Sequence, residues 1–143
     1  MHRIFTASIL LLSIFSAVNA SNQLPKPTFL THQLNDAKAS CKKKINILRE
    51  KQAQLEKERS QQHLSAALKP NVSLDAVEQK IRVEAEKIES NTSSSTHTDQ
   101  IKHYAETCDL LYQDTRAQLD RYEAEYQKIR MERKNNKIIK TGH

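Results

Sequence analysis

Apolar residues recur along this chain at helical spacing. Leu34, Ala37, Cys41, Ile45, Leu48 and Leu55 stand three, four or seven residues apart, which is one stripe on one helix. No Pro or Gly interrupts Thr31 to Lys69, where Lys, Gln, Glu, Leu and Ala dominate, all good helix formers. The pattern predicts a helix over 31–68 with Thr31 as its N-cap. Lys69-Pro70-Asn71-Val72 breaks it, and Ser73 caps a shorter second helix over 73–89. Leu74, Val77, Ile81, Ala85 and Ile88 keep the same rhythm there. After the polar loop Ser90–Thr98, a third helix over 97–135 is expected, capped by Thr96 with Asp99 or by Thr98. Its stripe of Ile101, Tyr104, Cys108, Leu111, Thr115, Leu119, Tyr122, Tyr126 and Ile129 averages near 3.5 residues per step. That period suits supercoiled packing on a partner helix.

Ahead of these segments, Met1–Ala20 has one positive charge, Arg3, then a short apolar run, and ends Val18-Asn19-Ala20. This is the signature of a secretory signal peptide cleaved after Ala20. The run from Ile4 to Val18 is diluted by Thr6, Ser8, Ser13 and Ser16 and falls short of the roughly 20 apolar residues of a spanning helix. The expected organisation is a signal over 1–20, an extended arm over 21–30, one helical domain over 31–135, and a basic disordered tail over 136–143. The expected place of action is periplasmic or extracellular.

Composition narrows the fold. Lys plus Arg outnumber Asp plus Glu by 23 to 17, and loss of Arg3 with the signal leaves +5 of the +6. Both signs are interspersed, as on a solvated helical face. Apolar content is 37 % with no Trp, too little for a thick core. The only Gly is Gly142. Phosphate-binding loops, nucleophile elbows and tight hairpins rely on glycine, so nucleotide-binding, most hydrolase and β-rich folds are disfavoured together. The expected fold is all-α, an elongated three-helix bundle or helical hairpin with coiled-coil-like packing.

Cys41 and Cys108, the only cysteines, each lie in an apolar stripe near the start of a long helix. In an up–down–up arrangement those starts share one end, within the short reach of a disulfide. Export favours the oxidised pair, and a structural Cys41–Cys108 bridge is expected.

Candidate chemistry is sparse. His63, His97 and His103 have no His pair at i, i+4 and read as exposed. Asp109, Asp114, Asp120, Glu123 and Glu125 need a cleft to become catalytic, and a thin bundle seldom supplies one. No catalytic, cofactor or metal site is expected, and no small-molecule substrate. Two basic clusters, Lys42-Lys43-Lys44 and the tail with Lys134, Lys137 and Lys140, are candidate contacts for an anionic envelope surface. They lack interleaved aromatics, so nucleic acid is not expected. Asn71-Val72-Ser73 and Asn91-Thr92-Ser93 are sequons, relevant only in a glycosylating host.

The plan resembles small helical exported bacterial proteins with two cysteines. It is also similar in outline to the inner-membrane spanin subunits of phages, with an N-terminal apolar segment, two charged helices and a polar hinge. It departs from the latter in its short, signal-like apolar segment. No residue role carries over.

Because the outer helices outrun the middle one, Leu55, Tyr122, Tyr126 and Ile129 are expected to be exposed. They would form a seam that binds another protein, or a second copy, by helix-on-helix contact. The alternative is an envelope-structural protein held at a membrane by an uncleaved start or by the basic clusters.

Overall fold

The computed structural model describes residues 27–91 and 96–142. The expected signal, its cleavage site, the arm up to Lys26, and Thr92 and Ser93 of the second sequon lie outside the described residues. The elements are α1 (Pro27–Gln61), a 3-10 turn (Ala66–Leu68), α2 (Leu74–Glu89) and α3 (His97–Thr141). The fold is all-α, three helices packed against one another and joined by one disulfide.

Side-chain pairs fix the topology. Arg49 of α1 meets Asp75 and Glu78 at the start of α2, whereas Lys38 meets Glu89 at its end. α2 therefore runs antiparallel to α1. α3 runs parallel to α1, since Lys44 pairs with Asp109, Lys51 with Asp120 and Glu123, and Glu58 with Arg130. Most of these partners are exposed or half-exposed, so they set register more than stability. The disulfide joins Cys41 to Cys108 with Cα atoms 6.0 Å apart, inside the first core, after Leu30 and Leu34 of α1 and Ile101 and Tyr104 of α3. This is the expected up–down–up arrangement.

Two cores fill the rod. The first surrounds the disulfide with Leu34, Ile45, Ile81, Ala85, Ile88, Ile101 and Tyr104. The second joins Leu48, Leu55, Leu119 and Tyr126 to Leu64 and Leu74. Each predicted stripe is the buried face of its helix.

The helix boundaries differ from expectation in three places. α1 begins at Pro27, not Thr31, so residues 27–30 of the expected arm are helical. Proline suits a first turn because its φ is already helical and its missing N–H has no helical partner there. Leu30 is thereby buried in the first core.

α1 also ends at Gln61, seven residues before the predicted 68. His63 takes φ 50°, Leu64 N–H donates to Arg59 O at 2.9 Å, and His63 N–H donates to Ser60 O at 3.1 Å. These two bonds define a Schellman stop, with histidine in the left-handed position that glycine usually occupies. The left-handed backbone costs a non-glycine residue about 1–2 kcal/mol, while glycine loses about 0.4–1 kcal/mol more on ordering. His63→Gly is therefore expected to stabilise the chain by about 0.5–1 kcal/mol in urea titration. A loss of stability would mean that the imidazole makes a compensating contact.

Finally, α3 runs on to Thr141, so residues 136–141 of the expected disordered tail are helical. Extending an existing helix costs little compared with starting one, and no Pro or Gly stands before Gly142. The N-cap expectation for α2 holds, with Ser73 Oγ accepting from Ala76 N–H at 3.3 Å.

Candidate partner-binding surface

The seam expected to be exposed is covered from within the chain. Leu55 and Tyr126 are 2 % and 0 % exposed, and Tyr122 and Ile129 are half-buried against them. What covers them is the connector between α1 and α2. Leu64, Leu68 and Val72 fold back onto α3, and backbone polar groups close the lid. Tyr126 Oη donates to Leu68 O at 2.5 Å, Asn71 N–H donates to Tyr122 Oη at 3.2 Å, and Gln52 Nε2 donates to Val72 O at 2.9 Å. The middle helix is short, but the connector takes its place over the far end. Leu55, Tyr122, Tyr126 and Ile129 are thus packing residues.

Burial shows in the titration of the tyrosines. Desolvation pushes the Tyr126 hydroxyl above its ordinary value, opposed by nearby Arg59 and aided by Tyr122, Glu56 and Glu58. Desolvation raises Tyr104 as well, with the Glu89 carboxylate adding to it. The Lys51 ammonium is held charged above its usual range by hydrogen bonds to Asp120 and Glu123, against a smaller cost of burial. These shifts belong to packing and charge pairing along the rod.

The other predicted positions divide. Lys44 is half-buried and paired with Asp109, while Lys42 and Lys43 point to solvent. Lys134, Lys137 and Lys140 are exposed along the last turns of α3. Asp114 accepts from Gln118 within its own helix, and Glu125 is exposed. The His97 ring lies 3.2 Å from Ile88 O, and His103 is exposed. Among the described residues no three His, Cys, Asp or Glu side chains converge as a metal site would need. No helix among them is long and apolar enough to cross a membrane.

One surface was missed. On α3, the side facing away from both cores carries Leu110, Ala117, Ala124, Met131 and Ile138, each seven residues after the last. Leu110, Met131 and Ile138 are 68 %, 65 % and 62 % exposed, and both alanines are exposed. The stripe is about 42 Å long at 1.5 Å per residue. A repeat of seven on a straight helix drifts by about 20° per repeat, so a partner helix following it winds with a left-handed twist. The alanines let a neighbouring backbone come close, and the larger residues bracket them. Glu106, Asp114, Asp120, Arg121, Lys128 and Lys134 flank it in that order, acids first and bases after. The signal was present in the sequence as five apolar residues in strict sevens, hidden because two are alanines and because a stronger stripe shares the helix.

The chain matches no protein-family model, and no curated protein or solved structure shows significant similarity to it.

Proposed function

We propose that this chain is an exported, non-catalytic binding protein that holds another protein by helix-on-helix contact along the outer face of α3. The observation that carries the reading is the exposed stripe of Leu110, Ala117, Ala124 and Met131 in sevens. Large apolar side chains scattered singly on a surface need no explanation. A series in register over three repeats is the spacing that a packed helix requires. The flanks change sign from Glu106 and Asp114 to Lys128, which fixes the direction in which a charged partner helix lies.

Export supports the same reading. The Met1–Ala20 segment has the form of a cleaved signal. A buried disulfide holding a thin rod fits an oxidising compartment. A rod stiffened in this way presents the stripe on a regular element, which lowers the entropy lost on docking.

Site-by-site photo-cross-linking in the native host tests the proposal. A photoreactive residue at 110, 117, 124 or 131 is expected to yield an adduct with one protein, and the same residue at exposed Asn46 or Ala53 of α1 is not. Leu110→Glu with Met131→Glu is expected to remove the adducts while leaving the melting temperature unchanged. An adduct of twice the chain's mass would identify the partner as a second copy. Adducts that ignore the period of seven, or none, would refute the surface.

A further inference from the structure

α1 stops at Gln61, and the last contact across to it is Arg133 Nη1 donating to Gln62 O at 2.5 Å. From Lys134 to Thr141, α3 continues alone for about 12 Å. This overhang is exposed at every position. Its composition differs sharply from the rest of the rod. Residues 133–141 hold Arg133, Lys134, Lys137 and Lys140 and no acid. No ion pair among the described residues involves Lys134, Lys137 or Lys140, whereas most basic residues of α1 that lie beside a neighbouring helix are paired with a carboxylate.

The same turns carry Ile138 and Ile139, 62 % and 69 % exposed. At 100° per residue these two bound one side of the helix, with Asn135 of the preceding turn between them, and Arg133, Lys137 and Lys140 fall on the opposite side with Lys134 at the border. Two adjacent β-branched side chains make a broader apolar edge than the single file of the upstream stripe. An isolated helix with a cationic face and an apolar edge suits the boundary between lipid headgroups and acyl chains. There the isoleucines enter the apolar layer while lysine stems reach back to anionic headgroups. A protein partner would leave the uncompensated positive charge to be matched residue by residue. A sheet of anionic headgroups matches it at any rotation.

We infer that residues 133–141 are a membrane-contact helix for anionic lipid, with Ile138 and Ile139 inserted and Arg133, Lys134, Lys137 and Lys140 at the headgroups. The contact adjoins the stripe and shares its last residue, Ile138, whereas the proposed protein contact uses the stripe from Leu110 to Met131.

Flotation with lipid vesicles tests it, using the mature chain from Ser21, which contains every residue of both cores but not the apolar Ile4–Val18 run. Vesicles of phosphatidylcholine with about a third phosphatidylglycerol are expected to carry the protein at low salt, and pure phosphatidylcholine vesicles are not. Lys134→Gln with Lys137→Gln and Lys140→Gln is expected to weaken binding by about 100-fold, from roughly fivefold per charge. Ile138→Ser with Ile139→Ser is expected to weaken it by at least about tenfold. Circular dichroism of each variant, read at the melting transition of the rod, checks that the cores are intact. Absence of flotation, or equal flotation with neutral vesicles, overturns the inference. If the serine variant binds as well as the parent, the helix lies outside the acyl layer and the inserted geometry is wrong. If the glutamine variant binds as well, the headgroup contact is wrong.

Discussion

Removing the Cys41–Cys108 bond, by Cys41→Ala with Cys108→Ala or by reduction after unfolding, is expected to lower stability by about 4 kcal/mol. The two residues are 67 positions apart. Closing a loop of that length restricts the unfolded chain by about 4 kcal/mol in the chain-entropy treatment, and measured effects are often smaller. A domain of this size has only about 5–15 kcal/mol in all, so the melting temperature is expected to fall by roughly 10–20 °C. The position of the bond adds to its importance. It lies inside the first core, and the only other covalent route from Cys41 to Cys108 is the long path through α2. Cys41 and Cys108 are 2 % and 3 % exposed, so a mild reductant is expected to leave the native protein unaltered and to act only once the rod opens. Calorimetry of the parent and of the double alanine variant reads the difference directly. A drop below about 1 kcal/mol would mean that the two cores hold α1 to α3 unaided.

Much of this fold was legible in the sequence because helical stripes are local. Leu34 to Leu55 and Ile101 to Ile129 declare their buried faces by spacing alone, and Cys41 and Cys108 lie in those faces at matching depth. The errors arose where an outcome depends on segments distant in sequence. Leu64, Leu68 and Val72 are four residues apart, which reads as a continuing helix. In the folded chain they belong to a connector that stops at a left-handed His63, turns, and roofs the second core. Whether Leu55 and Tyr126 are exposed depends on that roof, and nothing local to either residue encodes it. The overhang failed for a different reason. Its lysines and asparagines look like a disordered tail, but they continue a helix already begun.

The roof leads to the second large expected effect. Tyr126→Ala is expected to destabilise the protein by about 3–5 kcal/mol, the usual cost of emptying a large buried aromatic site. Tyr126 is fully buried, and its hydroxyl ties the connector to α3 through Leu68 O. Tyr126→Phe keeps the ring and removes only that bond, so about 1 kcal/mol is expected to be lost. The two variants separate ring packing from the hydrogen bond. Amide exchange shows where the loss falls: the N–H groups of Leu68 and Lys69, bonded to Ser65 O and Ala66 O, are expected to exchange faster in Tyr126→Ala, and those of the disulfide-proximal core much less. A residue on a partner-binding surface behaves in the opposite way. Its truncation leaves stability within about 0.5 kcal/mol and removes association. Leu110 and Met131 are expected to follow that second pattern and Tyr126 the first. An interchange of the two patterns would mean that the connector is displaced when the partner binds, and that Tyr122 to Ile129 is the docking seam after all.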